Sequence, residues 1–302
     1  MKHILKAEQF TDIKFLEKLF ASADELAKAD VANKLPQTLA GKIVATLFFE
    51  PSTRTRLSFE AAVLKLGGKV ISTENGQVAL SSTKGESLED TIKIVGSYSD
   101  AIVIRHPEVG SADRAGQVSP VPIINAGDGA GSHPTQALLD LYTMRKELGK
   151  IDSIKIAMIG DLLYGRTVHS LLPLLSLYKN ITVYLVSPPE LKLPAKYRLP
   201  GLEFKESDSL DAVLPEADVL YVTRIQKERF PSEADYLKLK GTYVIDAANL
   251  AKLKKDAIVM HPLPRVDEIA PEVDSDPRAA YFRQAKNGLY LRMALLQEIL
   301  GK

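Results

Sequence analysis

Cysteine is missing from all 302 residues, which excludes thiol catalysis, cysteine-ligated zinc and any disulfide within the chain. An excess of either charge is missing too. With 39 basic side chains against 38 acidic ones, no whole-chain field draws the protein to nucleic acid or an anionic membrane. No apolar run approaches the roughly 18–20 residues that cross a bilayer. The start, MKHILKAEQFTDIK, has neither the apolar core nor the cleavage-like site of a signal peptide. The expectation is a soluble, cytoplasmic protein. G-x-G-x-x-G is absent, and no His/Asp/Glu cluster has metal-ligand spacing, so neither a dinucleotide, a metal nor any other cofactor is expected.

What is present is an alternation. Apolar strand-like runs at 42–49, 69–73, 101–105 and 121–125 are followed by others at 154–160, 181–187, 218–223, 242–246 and 257–261. Helix-like stretches at 53–66, 87–97, 135–148, 166–178 and 277–300 accompany them. Strands rich in Val and Ile, separated by helix-length patterns, predict parallel sheets covered by helices. The pattern occurs twice, with 149-GKIDS-153 between the halves. The expected fold class is α/β: two doubly wound domains, each a mainly parallel sheet flanked by helices, with an active site in the cleft between them. The expected boundaries are 1–149 and 150–283, with a C-terminal helix near 284–302 packing back on the first domain.

The densest polar chemistry lies in 49-FEPSTRTRLSFEAA-62, directly after the first strand and at the start of a helix. That geometry presents free backbone N–H groups to an anion. Ser52 or Thr53 can cap the helix, but capping consumes one hydroxyl and leaves Ser-Thr-Arg-Thr unexplained. Hydroxyls and a guanidinium suit phosphate or carboxylate oxygens. Arg56 has a structural alternative in Glu60, one helical turn on.

The stretch FEPSTRTRLSFE resembles the carbamoyl-phosphate signature of the aspartate and ornithine carbamoyltransferases. The order of 84-KGESLEDT-91, Arg105-His106, 125-NAGDGAGSHPTQALLDLYT-143, 158-MIGDLLYGRT-167, 223-TRIQKERF-230 and 261-HPLPR-265 resembles that family as well. Within it, TRIQKERF and HPLPR point to the catalytic chain of the branch that uses aspartate. The ornithine branch carries HCLP and an SMG-containing loop, whereas here Pro262 follows His261.

The resemblance implies that Ser52, Thr53, Arg54 and Thr55 hold the phosphate of carbamoyl phosphate, with Arg105 beside them. It implies that Thr55, Arg105 and His133 hydrogen-bond the carbamoyl oxygen, and that Gln136 and the carbonyls of Leu263 and Pro264 hold the carbamoyl nitrogen. Arg166 is implied for the α-carboxylate of aspartate, and Arg224 with Gln226 for its side-chain carboxylate. Lys84 and a serine, read as Ser81 with Ser82 as the alternative, are implied to complete the site of a neighbouring subunit. Thr55, Lys84, Arg105 and His133 form the catalytic set. His3, His106, His169 and His261 are read as structural.

The implied reaction is carbamoyl transfer to the amine of L-aspartate, giving N-carbamoyl-L-aspartate and phosphate. No side chain looks like a nucleophile with a paired base. Closure of two domains on their substrates is expected, with the polar segment 226–235 as its lid. The competing readings are ornithine carbamoyltransfer, which Arg224 disfavours by charge, a catalytically silent binding relative, and a nicotinamide oxidoreductase, which lacks its glycine fingerprint. The expected assembly is a homotrimer with shared active sites, which a separate zinc- and nucleotide-binding regulatory chain could join.

Overall fold

The structure is a computed structural model that describes residues 2–74, 85–226, 230 and 232–301. Its first elements are α1 (Ile13–Val31), β1 (Ile43–Phe48), α2 (Thr53–Lys65), β2 (Lys69–Glu74), α3 (Leu88–Gly96), β3 (Ala101–His106), α4 (Ser111–Val118), β4 (Ile123–Asp128) and α5 (Pro134–Leu148). There follow β5 (Lys155–Ile159), α6 (Arg166–Leu175), β6 (Ile181–Val186), β7 (Leu202–Ser207), α7 (Leu210–Val213) and β8 (Val219–Val222). The last are α8 (Glu233–Leu239), α9 (Ala247–Lys252), β9 (Ile258–Met260) and α10 (Tyr281–Leu300).

Two compact units result, Met1–Leu139 with Lys286–Lys302, and Asp140–Ala285. The divisions fall inside α5 and α10. Each unit holds one sheet in which every pairing is parallel, ordered β2-β1-β3-β4 in the first and β7-β6-β5-β8-β9 in the second. Central strands such as IVATLF and KIAMI are almost continuously buried, as expected of a parallel sheet covered on both faces. One edge strand of each sheet is polar and has no buried position: β2 (KVISTE) in the first and β7 (LEFKES) in the second. Both sheets are thus parallel and helix-flanked.

Within the first unit, the end of α10 binds α1 and α2. Arg292 Nη1 donates to Ser58 Oγ at 2.7 Å and its guanidinium lies over the Phe59 ring at 4.9 Å, while Tyr290 donates to Asp30 at 3.1 Å.

Both sheets share a feature that places a site. The chain runs from β1 outward to β2, then reverses to β3 and β4; in the second unit it runs from β5 to β6 and β7, then reverses to β8 and β9. At such a reversal the loops leaving the two neighbouring strands diverge, opening a crevice beyond their carboxyl ends. The reversals lie between β1 and β3, and between β5 and β8.

One expected strand is corrected. Residues 242–246 form no strand; only Ile245 makes a bridge, to Ile269. Asp246 instead caps α9, accepting from Asn249 N–H at 2.9 Å while the Asn249 side chain accepts from Asp246 N–H, and β9 takes the place beside β8. Among the described residues, no helix is long and apolar enough to cross a membrane.

Candidate active site

In the first unit, the chain leaves β1 at Phe49, whose N–H donates to the Arg105 carbonyl at 2.8 Å, so the loop starts bound to the end of β3. Ser52 then occupies the N-cap position of α2, but its side chain makes no capping bond. The hydroxyl and the first-turn N–H groups of this helix are left for something other than each other. Thr55 is buried one turn in, whereas Thr53 and Arg54 are exposed. Arg56 spends its charge on Glu74 at 2.8 Å, with Glu60 at 4.0 Å, which is the structural role its spacing allows.

Arg105, the last residue but one of β3, has only 13% of its side chain exposed. Its Nη2 meets Glu50 at 2.6 Å and its Nη1 donates to the Ala126 carbonyl at 3.3 Å. Burial pulls its pKa down, Glu50 raises it, and the charge of Arg54 lowers it again. Desolvation also lowers Arg54, exposed though it is. Two guanidiniums that repel each other beside uncapped N–H groups favour an anion.

The loop after β4 is shaped by Asp128, which accepts from Ser132 N–H at 2.6 Å and from Gly110 N–H at 2.9 Å. Gly129 (φ +51°) donates to the His106 carbonyl at 2.8 Å, so this loop is tied to the exit of β3. It delivers His133, buried, to the start of α5, where the His133 carbonyl accepts from Gln136 N–H at 3.0 Å. Gln136 is buried in the first turn. Ser52, Thr53, Arg54, Thr55, Arg105, His133 and Gln136 therefore all leave one edge of one sheet, around the reversal between β1 and β3.

In the second unit the reversal is tied off by Asp161. Its N–H donates to Thr223 Oγ1 at 3.0 Å, and its fully buried carboxylate accepts from Tyr164 N–H at 2.9 Å and from Gln226 Nε2 at 3.3 Å. Burial pushes this carboxyl above its ordinary value, against the hydrogen bonds that lower it. Gln226 Nε2 also donates to the Tyr164 carbonyl at 3.2 Å. The loop carrying Arg166 to the start of α6 is thereby joined to the loop carrying Arg224 and Gln226 after β8. Both arginines are half-buried. Leu263, at φ +57°, and Pro264 follow β9.

Ser81, Ser82 and Lys84 lie outside the described residues, as do 227–229 and 231 of the expected lid. Ser232, within that segment, caps α8 by accepting from Asp235 N–H at 3.2 Å. The sequence reading passed over Glu50, Asp128 and Asp161. Each is an acid flanking a glycine or proline in a motif, which is the signal that could have found them. His106 and His169 make backbone contacts: His106 Nδ1 accepts from Glu108 N–H at 3.1 Å, and His169 Nε2 lies 2.8 Å from the Leu162 carbonyl.

Two family models match this chain. "Aspartate/ornithine carbamoyltransferase, carbamoyl-P binding domain" matches residues 2–146, and "Aspartate/ornithine carbamoyltransferase, Asp/Orn binding domain" matches 152–299. The chain is 50% identical over 305 residues to the chloroplastic aspartate carbamoyltransferase of Arabidopsis thaliana, covering 99% of this chain and 78% of that one. It is similar to the catalytic subunit of M. jannaschii aspartate transcarbamoylase (49% identity, TM-score 0.91, covering 99% of this chain and 98% of that one). It is also similar to the Trypanosoma cruzi aspartate transcarbamoylase in complex with carbamoyl phosphate and aspartate (45% identity, TM-score 0.94, covering 99% and 97%).

Proposed function

Since this chain belongs to the aspartate/ornithine carbamoyltransferase family, we propose that its two sets of loop residues divide the reaction's two substrates between them. The chain is an enzyme. It transfers the carbamoyl group of carbamoyl phosphate to the amine of L-aspartate, giving N-carbamoyl-L-aspartate and phosphate, a step of pyrimidine biosynthesis.

Carbamoyl phosphate belongs to residues 1–149 in this reading. Ser52, Thr53, Arg54, Thr55 and Arg105 take the phosphate dianion, where hydroxyls, helix N–H groups and two guanidiniums supply charge-assisted bonds. The carbamoyl oxygen lies against Thr55, Arg105 and His133. As the amine attacks the carbonyl carbon, negative charge grows on that oxygen, and these donors stabilise it without having to reorganise. Gln136 and the carbonyls of Leu263 and Pro264 hold the carbamoyl nitrogen. The C–O bond to phosphate then breaks, and the leaving phosphate accepts the proton from nitrogen. Positioning and charge stabilisation together account for a barrier reduction on the order of 10 kcal/mol.

Aspartate belongs to residues 150–283. Arg166 takes the α-carboxylate, while Arg224 and Gln226 take the side-chain carboxylate. A substrate with two carboxylates needs two cationic clamps, and ornithine's ammonium would be repelled by the second. Because Arg105 already meets Glu50 at 2.6 Å, the incoming dianion has to compete with that carboxylate.

The enzyme assembles as a homotrimer in which Lys84 and Ser81 (or Ser82) complete the neighbouring site, with closure of the 226–235 segment. It works in the cytoplasm, and a separate regulatory chain is the further partner this family allows.

The observation that carries the phosphate assignment is the start of α2, where the N-cap Ser52 makes no side-chain capping bond and Arg54 follows directly, beside the nearly buried Arg105 that leaves the neighbouring strand. Calorimetric titration of carbamoyl phosphate into Arg54→Ala tests it. Affinity should fall at least tenfold, with the unliganded fold intact; unchanged affinity would overturn the assignment.

A further inference from the structure

The loop 261-HPLPRVDE-268 is closed by its own first and last residues. His261 Nδ1 accepts from Leu263 N–H at 2.7 Å, and Nε2 lies 2.6 Å from Glu268 Oε1. The first bond fixes the tautomer: Nδ1 must carry a lone pair, so Nε2 carries the proton and donates it to the carboxylate. The other carboxylate oxygen, Oε2, accepts from Val266 N–H at 3.1 Å and Asp267 N–H at 3.2 Å. One imidazole and one carboxylate thus take up three backbone N–H groups of the turn.

The clamp is anchored from beneath. His261 N–H donates to Gln284 Oε1 at 2.9 Å, and Gln284 Nε2 donates to Asp140 Oδ1 at 2.6 Å. Tyr221 on β8 donates to the other oxygen of Asp140 at 2.7 Å. His261, Glu268, Gln284, Asp140 and Tyr221 are all buried. Leu263 meanwhile sits at φ +57°, a conformation a leucine does not hold without support. Leu263 is half-buried and Pro264 exposed, so this much buried polar structure serves a short turn at the surface.

We propose that His261 and Glu268 are positioning residues that aim the carbonyls of Leu263 and Pro264 at the carbamoyl nitrogen, so that they select carbamoyl phosphate over phosphate alone. The inference rests on the reading of those two carbonyls given above. A polar network is a suitable aiming device because its hydrogen bonds have one satisfied arrangement, whereas an apolar turn of the same volume can slide. Burial pushes the Glu268 carboxyl up, but the hydrogen bonds from His261 and the loop N–H groups outweigh it, and the group stays below its ordinary value. The carboxylate is therefore ionised at neutral pH.

The test compares two ligands on the assembled enzyme, carbamoyl phosphate and inorganic phosphate, by calorimetric titration. In His261→Phe the ring volume is kept and both bonds are lost. Carbamoyl phosphate should bind about tenfold or more weakly while phosphate stays within about twofold. His261→Asn should recover most of the loss, because Oδ1 of an asparagine can accept from the N–H two residues on. Should His261→Phe fail to fold, Glu268→Gln serves instead. It is nearly isosteric but turns an amide NH2 toward either the imidazole N–H or the loop N–H groups, and should give the same ligand selectivity. Equal loss for both ligands, or no rescue by asparagine, would overturn the proposal. A crystal structure of the weakened variant separates the two layers of the argument. A displaced Leu263 carbonyl with undiminished affinity would sink the carbonyl reading and the proposal with it. Weakened binding with the carbonyl unmoved would sink the positioning role alone.

Discussion

Arg224 and Arg166 carry the same charge, and in the proposed reading each takes a different carboxylate of aspartate, so their loss should be felt by that substrate only. Arg224→Ala is expected to raise the KM for aspartate by roughly ten- to a hundredfold, with the affinity for carbamoyl phosphate unchanged. Arg224→Lys should recover little, because an ammonium cannot reproduce the two-pronged contact. Steady-state kinetics and titration of carbamoyl phosphate check both, and equal losses for the two substrates would refute the division. His169 shows a different kind of residue effect. Its ring stacks on Tyr197 at 3.8 Å, and burial lowers its pKa from 6.5 to about 4. Below pH 6.5 the unfolded chain takes up a proton that the folded chain refuses until about pH 4. Stability is thus full above pH 6.5 and is lost as pH falls toward 4, by an amount on the order of 3 kcal/mol. His169→Phe keeps an aromatic ring and does not titrate. Its melting temperature should fall less between pH 7 and 4.5 than that of the unaltered protein; parallel curves would count against a buried neutral histidine.

At the scale of elements, the reversal between β5 and β8 depends on how closely two backbones approach. Gly160 directly follows β5 at φ +105°, and a Cβ there would collide with the Thr223 carbonyl oxygen. Neither backbone can yield cheaply, since Thr223 N–H donates to Ile159 O at 2.8 Å and Gly160 N–H to Val186 O at 3.0 Å. Gly160→Ala is expected to destabilise the protein by roughly 2 kcal/mol or more and to disturb the Arg166 and Arg224 loops together. Urea unfolding and the KM for aspartate measure the two effects. Elements were legible to the degree that burial was even. β1, β5 and β8 are buried almost throughout and read as apolar runs, but β7 is a half-exposed edge whose LEFKES alternates and escapes such a search. Residues 242–246 read as a strand although Asp246 spends itself on a helix cap. α1 carries a clear stripe of Leu16, Leu19, Phe20, Ala23 and Leu26, yet an alternation counted from the first strand leaves it out.

At the scale of the whole molecule, the proposal that a neighbour's Lys84 completes the site makes a prediction that no single-chain site shares. Lys84→Ala and Arg54→Ala should each be nearly inactive as pure proteins. Dissociated, mixed in equal amounts and reassembled, they should regain activity, because some sites then draw an intact Lys84 from one chain and an intact Arg54 from the next. For random trimers about one quarter of the sites qualify. An assay after mixing, with sizing of the assembled species, decides it. Sustained inactivity in reassembled trimers would mean that each chain builds its site alone.

The sequence by itself determined the architecture, parallel α/β sheets from Val/Ile runs; it pointed to an anion site from STRT at a helix start, and through the resemblance of its ordered motifs to a family it gave an aspartate-using transferase. Composition and spacing suffice for the first two because they depend on neighbours in the chain, whereas the transferase rests on resemblance to a family. Only the tertiary structure decided which charge meets which. Glu50 falls on Arg105, Asp161 ties the Arg166 loop to Gln226, and His261 closes on Glu268 with Gln284 and Asp140 beneath. Pairings such as Glu50 with Arg105 and Asp161 with Gln226 join segments some 55–65 residues apart, brought side by side by strand order. Hydrophobic periodicity says that a strand exists, but not which strand lies next to it, and so it cannot say where a buried acid finds its donors.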